Sequence, residues 1–295
     1  MAQQFIDAHQ HFWHYDPAKH IWMNADMGVI KKDFLPTDLA PLLKNCALNG
    51  CVAVQANQAE IENDFLLSLA DKHDIIKGIV GWVDLQGGNV EERLDYYTQF
   101  SKIKGFRHVI HDEADIDFML RAAFLRGISY LKKYNYTYDI LIFPEHLPNT
   151  LKLVQTFPNQ SFVIDHIAKP SIKTGNTEGW QKALKTVAAY DNVSCKISGM
   201  VTEADWKHWQ KADFTPYISD VVELFGIDRI MYGSDWPVCT LAATYKKQFS
   251  IVKIIFQRLT QQSNKKCLAQ TRFNFTIYNF YASYHFRKTG RFQKN

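Results

Sequence analysis

A chain of 295 residues, 46% apolar and 22% charged, has the make-up of an ordinary water-soluble globule and is long enough for one large barrel. Its formal charge of +4 is carried by Arg287, Lys288, Arg291 and Lys294, since without those four the basic and acidic residues balance at 30 each. No concentrated basic face precedes the tail, so nucleic acid is not expected as a partner.

Short apolar runs rich in β-formers recur along the chain, beginning with "FIDAH" (5–9), "CVAVQA" (51–56), "KGIVGWVDL" (77–85) and "IKGFRHV" (103–109). Four more follow: "YDILIF" (138–143), "FVIDHI" (162–167), "VSCKISG" (193–199) and "RIMYGSD" (229–235). Segments with helical spacing separate them. In "TDLAPLLKNCALNG", Leu39, Leu42, Leu43 and Cys46 recur at i, i+3, i+4 and i+7, with Gly50 where a helix stop is expected. "NDFLLSLADKH" and "DFMLRAAFLRGISYLKKYN" read as two further helices. Strand and helix in strict alternation predict an α/β chain folded as a (β/α)8 TIM barrel. The rival is a doubly wound open sheet, which normally carries a glycine-rich phosphate loop after its first strand. Here the first strand runs into His-Gln-His-Phe-Trp, which favours the barrel.

The reading is one domain over residues 1–286, followed by a basic tail, 287–295, predicted to be disordered. The five cysteines are scattered and lack CxxC spacing, so a reducing, cytoplasmic setting is expected rather than a disulfide framework. No long apolar span or cationic leader marks a membrane protein. A homo-oligomer is left open.

Barrel enzymes build their sites at the C-terminal ends of the strands. Polar residues collect at those ends here: His9 and His11, Gln55, Trp82 and Asp84, Arg107 and His108, Asp165 and His166, Lys196, and Asp235. Alternation along a strand places His9 and His11 on one side. Three imidazoles and a carboxylate suit hydrolysis, with Asp235 as general base for water and His9, His11 and His166 holding a carbonyl oxygen or a metal. Burial beneath Trp236 is expected to raise the pKa of Asp235. Arg107 and Lys196 add fixed positive charge, while Gln55, Trp82, Trp13, Trp206 and His108 offer amide, ring and imidazole contacts to a substrate. Taken singly, His108 reads rather as a satisfied core histidine, Asp7 as a loop buttress and Asp84 as a helix cap. Ser198 and Ser234 sit in no G-x-S-x-G elbow, which removes a nucleophilic serine.

The run "IDAHQHFW", "KKDFLPTDLAPLL", "VQA", "GIVGWVDL", "KGFRHV", "VIDHIAKP", "CKISGMVTEADW", "MYGSDWPVC" resembles the amidohydrolase superfamily, within its sugar-lactone hydrolase group. The resemblance spans most of residues 5–245 and fades in the segment that begins "NKKCLAQTRF". It implies a barrel whose catalytic residues are Asp235, His9, His11 and His166, acting on a small-molecule sugar lactone such as L-fuconolactone or a related deoxy-sugar lactone. It implies either no required cofactor or one divalent metal such as zinc, held by His9, His11, His166 and Asp235. The alternatives are a metal-dependent decarboxylase of the same superfamily and a non-catalytic sugar-acid-binding protein.

Overall fold

Eight strands pair side by side in chain order, every pair parallel. The computed structural model describes residues 5–253. The strands are β1 (Ile6–Gln10), β2 (Gly50–Val54), β3 (Ile76–Gly81), β4 (Ile103–Val109), β5 (Thr137–Leu141), β6 (Phe162–Ile164), β7 (Val193–Ile197) and β8 (Ile230–Tyr232). Between them lie α1 (Pro36–Asn45), α2 (Glu60–Lys72), α3 (Val90–Tyr97), α4 (Ala122–Leu131), α5 (Leu147–Thr156), α6 (Glu178–Ala188) and α7 (Lys211–Phe225). The sheet closes just beyond β8. Gln10 bridges Trp236 in parallel, the His11 amide donates to the Trp236 carbonyl at 2.7 Å, and the Asp235 amide donates to the His9 carbonyl at 2.7 Å. The result is the expected (β/α)8 barrel.

Each strand is buried on both faces, as parallel strands under helices must be. Outward residues such as Phe106, Tyr138, Phe162, Cys195 and Tyr232 join helix residues in the large core. Ile6, Ala8, Val52, Val54, Val80, Val163 and Met231 form a small separate cluster inside the barrel. Arg107, Asp139 and Lys196 share the inward parity of β4, β5 and β7, so the interior carries an ionic layer as well as an apolar one.

Two local expectations are corrected. Helix α1 ends at Asn45 with Cys46 as its cap, and Ala47 takes the left-handed conformation (φ 58°), while Gly50 opens β2. A Cβ at Gly50 would lie 2.6 Å from the Ile75 carbonyl oxygen, so the glycine serves strand packing and not the helix stop. The segment from Asp117 to Asn135 is not one helix. A 3-10 turn over Phe118–Leu120 is parted from α4 by Arg121, whose backbone is extended (ψ 137°). Asn149 fastens that turn by donating to the Ile116 carbonyl and to Asp117. The tail, 287–295, and the segment from "NKKCLAQTRF" onward lie outside the described residues.

Candidate active site

Strand β1 loses its simple alternation where it matters. Its register with β2 shifts between Asp7 and Gln10, so Ala8 packs inside while Gln10 reaches the Sγ of Cys51. Such an irregularity re-aims side chains beside active sites. It delivers His9 and His11 together, their rings 5.0 Å apart. Asp7 stays behind as a buttress, as anticipated. It accepts from the Ser234 amide and the Tyr245 hydroxyl, and burial pushes its carboxyl up to about 6.

A second local device sits after β6. His166, Ile167, Ala168 and Lys169 all have left-handed backbone, with φ of 54°, 51°, 60° and 47°. That region costs roughly 1–2 kcal/mol for each residue with a Cβ. The turn is held by the burial of Ile167 and Ala168, by Trp180 Nε1 donating to the Ile167 carbonyl, and by the Lys169 amide donating to the His166 carbonyl. His166 is steadied by Ser198 Oγ, 2.9 Å from its Nδ1. Gly199 (φ 63°) leaves it room, because a Cβ there would fall 2.4 Å from that same nitrogen.

Proton positions follow from partners that allow only one role. Arg107 Nη1 can only donate, and it lies 3.2 Å from His9 Nε2. Burial holds the His9 pKa well below its ordinary value, so the ring is neutral and its proton sits on Nδ1, 3.3 Å from Asp165 Oδ1. Lys196 Nζ, 3.4 Å from the same Nδ1, is therefore a neighbour and not a donor to it. His11 Nδ1 faces the Val54 carbonyl at 2.8 Å and donates to it, and its Nε2 lies 3.4 Å from Asp235 Oδ1. His9 Nε2 lies 3.8 Å from that same oxygen. Burial also pushes His166 well below its ordinary value.

The expectation for Asp235 is reversed. Burial alone raises its pKa, but His166, His11 and Lys169 outweigh it and the carboxyl titrates below the usual carboxylate value. It is ionised throughout the physiological range.

Asp235, His11, His166, Arg107 and Trp206 line one cavity of about 310 Å³ at the C-terminal end of the barrel. His9 lies fully buried behind them. Lys196, expected at the mouth, is instead wholly enclosed, hydrogen-bonded to Asp139 and 3.0 Å from Asp165. It neutralises the ionic layer. Gln55 is also buried, and its backbone carbonyl accepts from Arg107 Nη2 at 2.6 Å, so it braces the arginine. His108 points the other way from Arg107, as adjacent strand residues do. It stacks on Phe118 at 4.7 Å and pairs with Glu113, the core reading that the sequence left open. Trp82 is pinned through its backbone by Asn63 and does not line the cavity. Trp13 is buried, donates to the Lys32 carbonyl and lines a neighbouring groove. Asp84 accepts from the Gln86 amide in a turn.

Sequence reasoning passed over Asp139, His111, Lys169 and Glu203. Asp139 was hidden mid-strand between apolar neighbours. Lys169 and Glu203 lie inside "VIDHIAKP" and "VTEADW", and the spacing of Lys169 three residues after His166 is the available signal.

Among the described residues, His9, His11 and Asp235 offer ligand atoms within 4.8 Å of one another. His166 groups instead with His9 and Asp165, so the four expected ligands do not form one set. Two imidazole Nε2 atoms with fixed Nδ1–H partners and one carboxylate are a donor set that fits a single divalent cation. Arg107 would compete with that cation for His9 Nε2.

A protein-family model described as Amidohydrolase matches residues 6–269. The chain belongs to the amidohydrolase family. An L-fucono-1,5-lactonase of Burkholderia multivorans is 40% identical to this amidohydrolase over 84% of the chain and 87% of the relative. An L-fucono-1,5-lactonase of Burkholderia ambifaria is 35% identical over 81% and 82%. The crystal structure of a Burkholderia multivorans amidohydrolase with bound Zn superposes with a TM-score of 0.81 at 40% identity, covering 85% of this chain and 90% of that one.

Proposed function

We propose that this amidohydrolase hydrolyses a sugar lactone, L-fucono-1,5-lactone or a related deoxy-sugar lactone, to the open-chain acid. The observation that carries the reading is the ionised Asp235 beside His11 Nε2 in a small cavity lined by charged and aromatic side chains. The 40% and 35% identity to L-fucono-1,5-lactonases supports the substrate class.

The residues can divide the work as follows. Asp235 takes a proton from water as the water oxygen bonds to the lactone carbonyl carbon. Negative charge grows on the carbonyl oxygen, near the fixed guanidinium of Arg107. When the ring C–O bond breaks, Asp235 returns the proton to the departing alkoxide, and the new acid loses its own proton to solvent. Asp165, Gln55 and Val54 keep Arg107, His9 and His11 from rotating. A divalent cation held by His9, His11 and Asp235 would supply Lewis-acid polarisation of the carbonyl.

The purified full-length chain, given a panel of five- and six-membered aldonolactones, is expected to release acid, with and without prior chelation recorded side by side. Absence of acid release across the whole panel in both arms would refute the assignment. Carbon dioxide release from an aromatic acid would favour the decarboxylase alternative.

A further inference from the structure

We propose that Lys169 and Glu203 together form a hydroxyl-recognition element that makes the cavity select polyhydroxylated lactones. This inference rests on the lactonase reading and deepens it.

Both residues line the same cavity as Asp235 and His166. They come from separate loops, Lys169 after β6 and Glu203 after β7, and meet at 2.8 Å. Their placement is enforced. In the left-handed turn, residues three apart lie on one side, so the turn that aims His166 aims Lys169 too. On the other loop, a 3-10 turn over Met200–Thr202 is tied by Thr202 Oγ1 to the Gly199 carbonyl, and Trp206 Nε1 donates to the Thr202 carbonyl. Trp206 thus presents its indole to the cavity beside Glu203.

The chemistry of the pair points to a neutral polar ligand group. A site for a second carboxylate would keep its cation unneutralised, but Lys169 is already matched by Glu203. An ammonium has three N–H donors, and the ion pair with Glu203 can engage one of them. The other two have no hydrogen-bond partner among the described residues, since the remaining contact of Lys169 is with the Phe143 ring at 5.5 Å. A hydroxyl is both donor and acceptor, so one sugar hydroxyl can accept from Lys169 and donate to Glu203 at once. Each side chain keeps only 19% of its surface exposed, so the pair is partly dehydrated before ligand arrives. A flat indole next to a donor–acceptor pair suits a ring with one apolar face and hydroxylated edges.

The experiment compares a hydroxylated aldonolactone with unsubstituted δ-valerolactone in wild type, Lys169→Met, Lys169→Arg and Glu203→Gln. The ratio of kcat/KM for the hydroxylated over the unsubstituted lactone is expected to fall about a hundredfold in Lys169→Met and Glu203→Gln, with partial recovery in Lys169→Arg. A ratio held at the wild-type value, whether or not overall activity drops, overturns the proposal and leaves the lactonase reading standing. If wild type hydrolyses no lactone, that reading fails, and calorimetric binding of a six-carbon aldonate decides this one. Binding weakened at least about tenfold by Glu203→Gln supports the pair's role, and unchanged binding refutes it.

Discussion

Asp165 Oδ1 stands 3.3 Å from Nδ1 of His9, and neither side chain has any exposed surface. The same carboxylate meets Arg107 at 3.1 Å and Lys196 at 3.0 Å, while Lys196 also bonds Asp139. A carboxylate here fixes the ring proton and neutralises two buried cations. Asp165→Asn preserves the shape but removes both services. Turnover is expected to fall about 10- to 100-fold, as for outer-shell partners of site histidines, and stability by about 3 kcal/mol through the orphaned cations. Steady-state kinetics and urea unfolding check the two numbers separately.

Asp235→Asn removes the proposed proton acceptor while retaining size. It is expected to fold with an unchanged circular dichroism spectrum and to lose at least about a hundredfold in kcat. Near-wild-type lactone hydrolysis by this variant would take Asp235 out of its role.

Because His166, His11 and Lys169 outweigh burial at Asp235, the proposed base is already ionised in mild acid. The expected kcat/KM profile is level from about pH 5 to pH 8, with its acid limb below the ordinary carboxylate value of about 4. An acid limb centred near neutrality would mean that another group accepts the proton.

His111 stacks on Phe143 at 4.8 Å, and burial, with Lys169 and Arg107 nearby, pushes its pKa down to about 3. A depressed folded-state value means that this residue's contribution to stability is complete above pH 6.5 and is lost as the pH falls toward 3. Between pH 7 and pH 5 the wild type should lose about 2 kcal/mol more than His111→Gln, from the linkage of 1.36 kcal/mol per pH unit. Denaturant melts at both pH values test this, and parallel losses in the two proteins would contradict it.

Gly199 has φ 63° and faces His166 Nδ1 at a distance too short for a methyl group. Gly199→Ala is expected to cost about 1–3 kcal/mol in backbone strain and to lower kcat by tilting His166 off Ser198. A variant with wild-type kcat would show that His166 tolerates displacement.

The barrel was legible because strand and helix periods alternate so regularly, and β4 runs over the same residues as its apolar run, 103–109. The site was legible where a polar residue ended a strand, as at His9, His11, His166 and Asp235. Inside a strand the reading was weaker, for Asp139 in β5 gave no signal and Lys196 in β7 was placed at the mouth. Asp139 and Lys196 look alike in one dimension, each a charge among apolar neighbours, and only their meeting across the barrel shows that they satisfy one another. The left-handed turn was hidden for a different reason. Residues 167 and 168 are Ile and Ala, neither of which signals positive φ, so packing overrides local preference there.

The peptide groups that shut the cylinder belong to His9, His11, Asp235 and Trp236, so staves one and eight are joined by the very backbone that bears the imidazoles and the base. Any breathing of that joint would move Asp235 away from the imidazoles of His9 and His11 in a single motion. Enzymatic competence is thus a gauge of whether the hoop is whole. Amide exchange at residues 11 and 235 should rise in step with loss of turnover as denaturant is added, ahead of the bulk helices.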